Sequence, residues 1–364
     1  MRESNIPLNN NSTLMSTANM SITPPTPSKT MRAWLYSSAH GGLEKNIKLV
    51  RDAPLPFHQT LPKDGILVKV LCSSLNPADY KIPELGLVSR ALVSVPASPG
   101  LDFAGVVTQT GETVGTFHAG DKVYGRIPPG QHGTLGEYVC ARMDGCASLP
   151  EDLSLEDASC VGTAGQTAYQ CIVPNVKEGD KVFINGGSGG TGTFGIQIAK
   201  AVGCHVTTSC SGKNTELCRS LGADEIIDYT KENVSEALKA KGQVYKLAVD
   251  NVGSAPPDLY KAADHYLLPE GKFVQIGGGM SASDLKNMTS RMLLPSFLGG
   301  GKRKWEWVTT ANNREHLEQV GKWVKEGKIK VVIDEVFQYE DVPKAIEKLK
   351  KGRTQGKIVV KGSA

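Results

Sequence analysis

A glycine-rich loop at residues 186–192 constrains the fold of this chain more than any other feature. Its glycines match the spacing G-x-G-x-x-G. The loop directly follows residues 181–185, a short apolar stretch that predicts a strand, and directly precedes residues 193–202, where apolar side chains recur with helical spacing. A strand, a glycine loop and a helix in this order predict a βαβ unit of a parallel sheet, in which the helix N-terminus binds a pyrophosphate.

The order of predicted elements divides the chain. Residues 1–30 are poor in charge and rich in Asn, Ser, Thr and Pro, which predicts a disordered extension; a mitochondrial presequence is the weaker alternative, since Arg2 is the only arginine there. Residues 31–153 contain short strands broken by Gly and Pro, a pattern typical of a small β-barrel. From residue 154 strands alternate with helices, which indicates a doubly wound parallel sheet and an α/β protein.

The predicted strands and helices follow from these patterns. The strands are 66–71, 106–108, 121–125, 137–139, 181–185, 205–208, 225–228, 247–250, 272–276, 331–337 and 357–360. The helices are 155–173, 193–202, 214–221, with Asn214 as its cap, 314–326 and 342–351.

Charge and cysteine usage exclude several classes of function. The 364 residues carry 41 Lys and Arg against 37 Asp and Glu, a balance too mild for a nucleic-acid-binding protein. No apolar run approaches the roughly 20 residues that span a bilayer, so we expect no membrane insertion. Eight cysteines form no C-x-x-C pair and no secretory leader precedes them, which predicts reduced thiols in a cytoplasmic protein.

The second strand of the βαβ unit indicates which dinucleotide binds. An NAD site usually has an acid about 20 residues beyond the glycines, but residues 207–213 read Thr-Thr-Ser-Cys-Ser-Gly-Lys, and no acid follows until Glu216. The hydroxyl of Ser211 and the ammonium of Lys213 can instead hold a 2′-phosphate. NADPH is therefore the predicted cofactor.

Eight motifs, the glycine loop among them, occur in an order that resembles the medium-chain dehydrogenase/reductase superfamily, in its quinone oxidoreductase and enoyl reductase branch. They are Asn76-Pro-Ala-Asp-Tyr80, Pro99-Gly-Leu-Asp-Phe-Ala-Gly105, Gly120-Asp-Lys-Val-Tyr-Gly125, Gly162-Thr-Ala-Gly-Gln-Thr-Ala-Tyr169, the glycine loop, Leu221-Gly-Ala-Asp224 leading to Asp228-Tyr229, Asp250-Asn-Val-Gly253, and Gly352-Arg-Thr-Gln-Gly-Lys357. The resemblance implies a GroES-like β-barrel catalytic domain at 31–153, an inserted Rossmann domain at 154–307, and a return to the catalytic domain at 308–364.

The resemblance also implies site residues. The cofactor-binding set is Thr167, Gly187, Ser188, Gly189, Gly190, Thr191, Gly192, Ser211, Lys213, Tyr229, Asn251 and Gly277. The catalytic set is Asn76, Asp79, Tyr80 and Lys81. In this set Asn76 donates to a substrate carbonyl or holds the nicotinamide carboxamide, Asp79 orients its neighbours, and Tyr80 or Lys81 supplies a proton.

Zinc-dependent members of the superfamily carry ligands that this chain lacks. They have a cysteine at the position of Asn76 and Gly-His-Glu at the position of Gly100-Leu101-Asp102, and leucine cannot bind zinc. Residues 125–135 also lack the four cysteines of a structural zinc lobe. We therefore expect no metal.

Without a Lewis acid to stabilise an alkoxide, conjugate reduction is easier than carbonyl reduction. The sequence thus predicts an NADPH-dependent, zinc-independent reductase that transfers hydride to an activated C=C bond of an enone, or to a quinone. A trans-acting enoyl reductase of a polyketide pathway shares every motif and stays an alternative, and a catalytically idle NADPH-binding protein is an alternative of another class. The expected partners are a small-molecule substrate and, at most, a second copy in a homodimer.

Overall fold

The computed structural model describes residues 29–57, 60–253, 255–276 and 302–363. Gly277 and most of the predicted N-terminal extension lie outside these ranges. The described strands are β1 (Thr30–Leu35), β2 (Lys48–Pro54), β3 (Gly65–Leu75), β4 (Asp102–Thr110), β5 (Lys122–Arg126), β6 (Tyr138–Arg142), β7 (Cys146–Ser148), β8 (Lys181–Asn185), β9 (His205–Cys210), β10 (Glu225–Asp228), β11 (Tyr245–Asp250), β12 (Leu267–Gln275), β13 (Lys304–Trp307), β14 (Ile333–Phe337) and β15 (Lys357–Lys361).

Eleven α-helices connect these strands within the described ranges. They are α1 (Leu43–Asn46), α2 (Pro77–Lys81), α3 (Leu87–Leu92), α4 (Leu155–Ser159), α5 (Gln166–Ile172), α6 (Gly190–Ala201), α7 (Thr215–Ser220), α8 (Val234–Ala240), α9 (Ala263–Tyr266), α10 (Arg314–Lys325) and α11 (Val342–Lys350). None of the helices in this part of the chain combines the length and the apolar composition that crossing a membrane requires.

A seven-stranded sheet with order β14-β15-β3-β4-β5-β7, in which β6 also pairs with β3, contains the barrel strands. The last strand of the chain, β15, joins this sheet antiparallel to β3, with Ile358 opposite Leu75. This register places Lys357 beside the end of β3, where α2 begins. Residues far apart in the sequence therefore meet at one end of this pair of strands.

A six-stranded parallel sheet has the order β10-β9-β8-β11-β12-β13, which is the strand order of a Rossmann fold. The glycine loop follows β8, and β11 lies on the other side of β8. The chain order reverses between these two strands, and ligands of such sheets bind at this switch point. The predicted α/β class with a GroES-like barrel and a Rossmann sheet is confirmed.

The helix predicted over 155–173 is interrupted in the structure. A π-helical turn, Val161–Gly165, separates α4 from α5. A Cβ on Gly162 would stand 2.5 Å from the carbonyl oxygen of Gly125 and 2.7 Å from Oδ1 of Asp102, so only glycine lets this turn approach the barrel so closely. Because of that approach, Thr163 comes within hydrogen-bonding distance of Asp102.

Candidate functional site

The glycine loop is built for close backbone packing. A Cβ on Gly187 would clash with the Thr208 hydroxyl, and one on Gly192 would clash with the Gly186 carbonyl oxygen. At Gly189, by contrast, the nearest atom to an added Cβ is 3.6 Å away, so the space above the loop is open. The α6 helix begins there, and no side chain caps its N-terminus. The free N–H groups of its first turn therefore suit a pyrophosphate.

The loop after β9 has the predicted hydroxyl and lysine but also an acid. Lys213 is exposed, and Oγ of Ser211 is buried with no hydrogen-bond partner among the described residues. The carboxylate of Asp228, at the end of the neighbouring strand β10, lies 2.5 Å from where a Cβ of Gly212 would stand. Hydrogen bonds from Thr230 lower the pKa of Asp228, which keeps it ionised. As predicted, no acid precedes Glu216 in the loop after β9. The folded chain nevertheless brings the Asp228 carboxylate beside this loop.

Asn214 has a different role from the helix cap predicted for it. Its side chain makes no capping hydrogen bond with α7. Its Nδ2 donates to Oγ of Ser188 at 2.8 Å, and its Oδ1 accepts from Nε2 of Gln355 at 2.7 Å. The residue after Gln355, Gly356, donates its N–H to the Ser188 carbonyl oxygen at 2.9 Å. The C-terminal turn therefore holds the glycine loop in place.

Three more predicted cofactor residues lie in different surroundings, and Asn251 directly follows β11 at the switch point. Asn251 donates from Nδ2 to the Asn185 carbonyl oxygen at 2.9 Å, and its Oδ1 is buried without a partner in the described part of the chain. Tyr229 is 55% exposed, so its ring is available to a ligand. The hydroxyl of Thr167 donates to the Thr163 carbonyl oxygen at 2.6 Å and contacts Thr310, which ties α5 to the segment before α10.

A buried polar cluster lies where α2 begins. Asn76 precedes α2 and donates from Nδ2 to Oδ2 of Asp102 at 2.8 Å. Its Oδ1 accepts from Nζ of Lys357 at 2.5 Å. Asp102 is fully buried and also accepts from Ser74 at 3.1 Å and Thr163 at 2.5 Å, and Lys357 lies 3.4 Å from its Oδ2. All polar atoms of the Asp102 carboxylate are thus satisfied.

Asp79 is the incompletely paired acid of this cluster. Its Oδ2 accepts from the Asn76 backbone N–H at 2.7 Å, but its Oδ1 is buried without a partner among the residues described. Burial raises the pKa of Asp79 from 3.8 to about 7; the Asn76 hydrogen bond and the charges of Lys357 and Arg126 oppose this rise, and Asp102 adds to it. A carboxyl with this pKa can both hold and release a proton near neutral pH.

The other two predicted catalytic residues are placed differently. The ring of Tyr80 is half-buried and packs against the hydrophobic cluster formed by β1, β15 and α11, and the Lys350 ammonium lies 5.6 Å from its centre. Burial raises the pKa of Tyr80. Lys81 is partly exposed at the end of α2. The structure therefore unites Asn76 with Asp79 and turns Tyr80 towards the packed side of α2.

Three residues of the cluster belong to the family motifs but had no predicted role. Asp102 and Lys357 contact the Asn76 amide, Thr163 donates to Asp102, and Arg126 donates from Nε to the Thr163 hydroxyl at 3.2 Å. The available signal was a charged residue inside an apolar strand pattern, as in Gly-Lys-Ile-Val-Val at the C-terminus. Within the described ranges no group of three or more His, Cys, Asp or Glu side chains is arranged to hold a metal ion.

Family models and relatives agree with this architecture. Residues 62–151 match the alcohol dehydrogenase GroES-like domain, and residues 221–360 match a domain described as zinc-binding dehydrogenase. The chain is 46% identical to the trans-enoyl reductase pgmF of Aspergillus terreus over 91% of this chain and 96% of that protein. It is 32% identical to the 2-methylene-furan-3-one reductase of Solanum lycopersicum, covering 91% of this chain and 79% of that one.

Among solved structures, the quinone oxidoreductase of Coxiella burnetii superimposes with a TM-score of 0.78 at 32% identity, covering 92% of this chain and 99% of that chain. The fold, the switch-point glycine loop and these relatives define the class: an oxidoreductase with a nicotinamide-dinucleotide domain. The chain belongs to the medium-chain dehydrogenase/reductase superfamily.

Proposed function

We propose that this protein uses NADPH to reduce an activated C=C bond or a quinone, without a metal. The observation that carries the proposal is the buried Asn76–Asp79–Asp102–Lys357 cluster, which is joined directly to the glycine loop by the bond from the Gly356 N–H to Ser188. The relatives support the same chemistry, since they include an enoyl reductase, an enone reductase by its name and a quinone oxidoreductase.

The dinucleotide site fits its proposed ligand. The backbone at Gly189 is open to a ligand, and no side chain caps the start of α6. The Oδ1 atom of Asn251 is buried without a partner in the described part of the chain. When bound, the reduced nicotinamide supplies the hydride. Ser211 and Lys213 would hold the 2′-phosphate, and this selects NADPH over NADH.

Asn76 and Asp79 divide the remaining chemistry. Hydride addition to an enone creates negative charge on the carbonyl oxygen, and a prearranged N–H donor stabilises that charge most when water is excluded. Asn76, which is 5% exposed, carries such a donor. The enolate then needs a proton, and Asp79 has the pKa for a donor near neutral pH. Lys81 is the second candidate for the proton donor. Tyr80 is the third, because its ring packs against the hydrophobic cluster.

The test is NADPH oxidation measured with three kinds of substrate: 9,10-phenanthrenequinone, 4-hexen-3-one and the crotonyl thioester of N-acetylcysteamine. Turnover of at least one is expected, and the carbonyl of the enone is retained in the product. If NADPH binds but none is reduced, the idle NADPH-binding alternative is correct. If 4-hexen-3-one gives the unsaturated alcohol, the conjugate mechanism is wrong.

A second candidate function is a trans-acting enoyl reductase on a carrier-bound substrate, favoured by the 46% identity to the Aspergillus terreus protein. The consecutive basic residues Lys302, Arg303 and Lys304 could form a docking surface for a carrier. This surface is weak, because Lys302 and Arg303 both face Asp264, at 3.4 Å and 3.9 Å. The discriminating measurement compares kcat/KM for a crotonyl group on an acyl carrier domain and on N-acetylcysteamine. A carrier-dependent enzyme favours the former by at least about 10-fold, equivalent to about 1.4 kcal/mol.

We also propose a cytoplasmic location and a monomer or homodimer. The eight cysteines are free thiols, and seven are buried, which suits a reducing compartment. Cell fractionation of the tagged full-length chain tests the location, and recovery in a mitochondrial fraction would instead support the presequence alternative. Sedimentation equilibrium determines the oligomeric state.

A further inference from the structure

The ammonium of Lys357 is buried between the two halves of the site. The residue is 2% exposed, and its Nζ donates to the Leu75 carbonyl oxygen at 2.9 Å and to Oδ1 of Asn76 at 2.5 Å, with Oδ2 of Asp102 at 3.4 Å. An ammonium has three N–H donors, and here each has an acceptor. A buried ion pair contributes little net stability compared with an apolar pair of similar volume, so its presence calls for another explanation.

The Asn76 amide has one permitted orientation in this environment. As placed, its oxygen faces the Lys357 ammonium and its Nδ2 faces the Asp102 carboxylate. Rotating the amide by 180° would set N–H groups against the ammonium and the oxygen against the carboxylate, and both contacts are repulsive. The nearest other acceptor of Nδ2 is the Ser74 carbonyl oxygen at 3.5 Å, a long contact. One Nδ2 hydrogen therefore remains for a ligand oxygen.

The same lysine contacts the dinucleotide loop. A Cβ on Gly190, the first residue of α6, would stand 2.9 Å from Cδ of Lys357. Gly356, the residue before Lys357, donates its backbone N–H to the Ser188 carbonyl oxygen of the glycine loop. The position of the ammonium, and with it the orientation of the amide, is thus set by the segment that shapes the cofactor site.

From this geometry we infer that Lys357 is a positioning residue for the reduction, which fixes the Asn76 amide with one N–H directed to the oxygen that becomes negatively charged. The inference rests on the proposed function. The Lys357 ammonium thus acts through the neutral Asn76 amide. Because the amide is already oriented, it needs no reorganisation when negative charge develops on the substrate oxygen.

The test separates positioning from simple charge balance. Lys357→Met leaves Asp102 buried and unpaired, and we expect a lower Tm. Adding Asp102→Asn removes the unpaired charge while its amide oxygen still accepts from Asn76. The double variant should therefore recover the Tm, yet its kcat for 4-hexen-3-one and for the crotonyl thioester should stay about 10- to 100-fold below wild type, with NADPH affinity changed less than kcat. Lys272→Met, which alters a partly buried lysine that bonds Asn175 and Glu306 away from the site, is the matched control and should keep kcat.

Two further readouts would not respond to a merely structural role. Asp79 faces the charges of Asp102, Lys357 and Arg126, so Lys357→Met should move the limb of the pH–rate profile assigned to Asp79 to higher pH. In ¹H–¹⁵N spectra, the side-chain amide of Asn76, identified by its loss in Asn76→Asp, should exchange its protons at least about 10-fold faster in Lys357→Met than in wild type.

Recovery of both Tm and kcat in the double variant would overturn the inference. So would unchanged exchange of the Asn76 amide in Lys357→Met. If the wild type reduces none of the substrates, the proposed function fails, and the amide exchange measurement alone then decides whether Lys357 positions Asn76.

Discussion

The protonation of Asp79 gives the sharpest quantitative prediction. Its pKa rises from 3.8 in the unfolded chain to about 7 in the folded protein because the carboxyl is buried. A raised carboxyl pKa means that the folded protein prefers the protonated form. The contribution of Asp79 to the stability is therefore largest below pH 3.8, falls as pH rises between 3.8 and about 7, and levels off above about 7.

The size of the effect follows from the pKa difference. One pKa unit corresponds to about 1.4 kcal/mol, so ionising Asp79 destabilises the fold by about 4 kcal/mol in full, of which about 2.5 kcal/mol is lost between pH 5 and pH 8. The variant Asp79→Asn keeps an acceptor for the Asn76 N–H but carries no charge. The unfolding free energy of Asp79→Asn minus that of wild type should therefore increase by about 2.5 kcal/mol from pH 5 to pH 8.

The assay is urea unfolding of wild type and variant at pH 5, 6, 7 and 8, with the difference in unfolding free energy plotted against pH. Asp52→Asn, at an exposed position, is the control for loss of one carboxylate. The same Asp79→Asn protein should lose proton donation, and with it kcat. A difference that is constant from pH 5 to pH 8 would refute the argument that Asp79 is a buried acid with a pKa near neutrality.

The remaining predictions concern the cofactor, the reaction, the metal and the loop. Lys213→Ala should weaken NADPH binding by about 1.5–3 kcal/mol and leave NADH binding unchanged, whereas Asp228→Asn should strengthen NADPH binding, because it removes a negative charge beside Gly212; equal dissociation constants of the wild type for NADPH and NADH would contradict the phosphate assignment. Deuterium from labelled NADPH should appear at the β carbon of 4-hexen-3-one, and Asn76→Ala should lower kcat more than NADPH affinity; unchanged turnover would remove Asn76 from the mechanism. Metal analysis of the purified protein should find no stoichiometric zinc, and activity lost to a chelator and restored by zinc would show otherwise. Gly192→Ala should abolish NADPH binding or folding because its Cβ clashes with backbone, while Gly115→Ala, where an added Cβ meets nothing within 4 Å, should be tolerated.

Strands and helices that depend on residues close together in the sequence could be predicted from the sequence alone. The strand before the glycine loop and the helix after it were predicted within a few residues, because side-chain periodicity and the glycine spacing act over short distances along the chain. The two sheets and their class could be predicted for the same reason. The interruption of the helix at 161–165 could not, because it depends on how closely Gly162 approaches the barrel.

The chemistry of the site was decided by tertiary structure. Asn76 and Lys357 are 281 residues apart, and only the antiparallel pairing of β15 with β3 makes their side chains contact. The same holds for Asp228, which ends β10 yet lies beside the loop that follows β9, and for Asn214, which precedes α7 but bonds the glycine loop. Sequence shows which residue types are present and how each segment folds locally. Burial, which raises the pKa of Asp79, and the contacts with Lys357 and Asp102, which orient the Asn76 amide, arise only when distant segments pack together and exclude water.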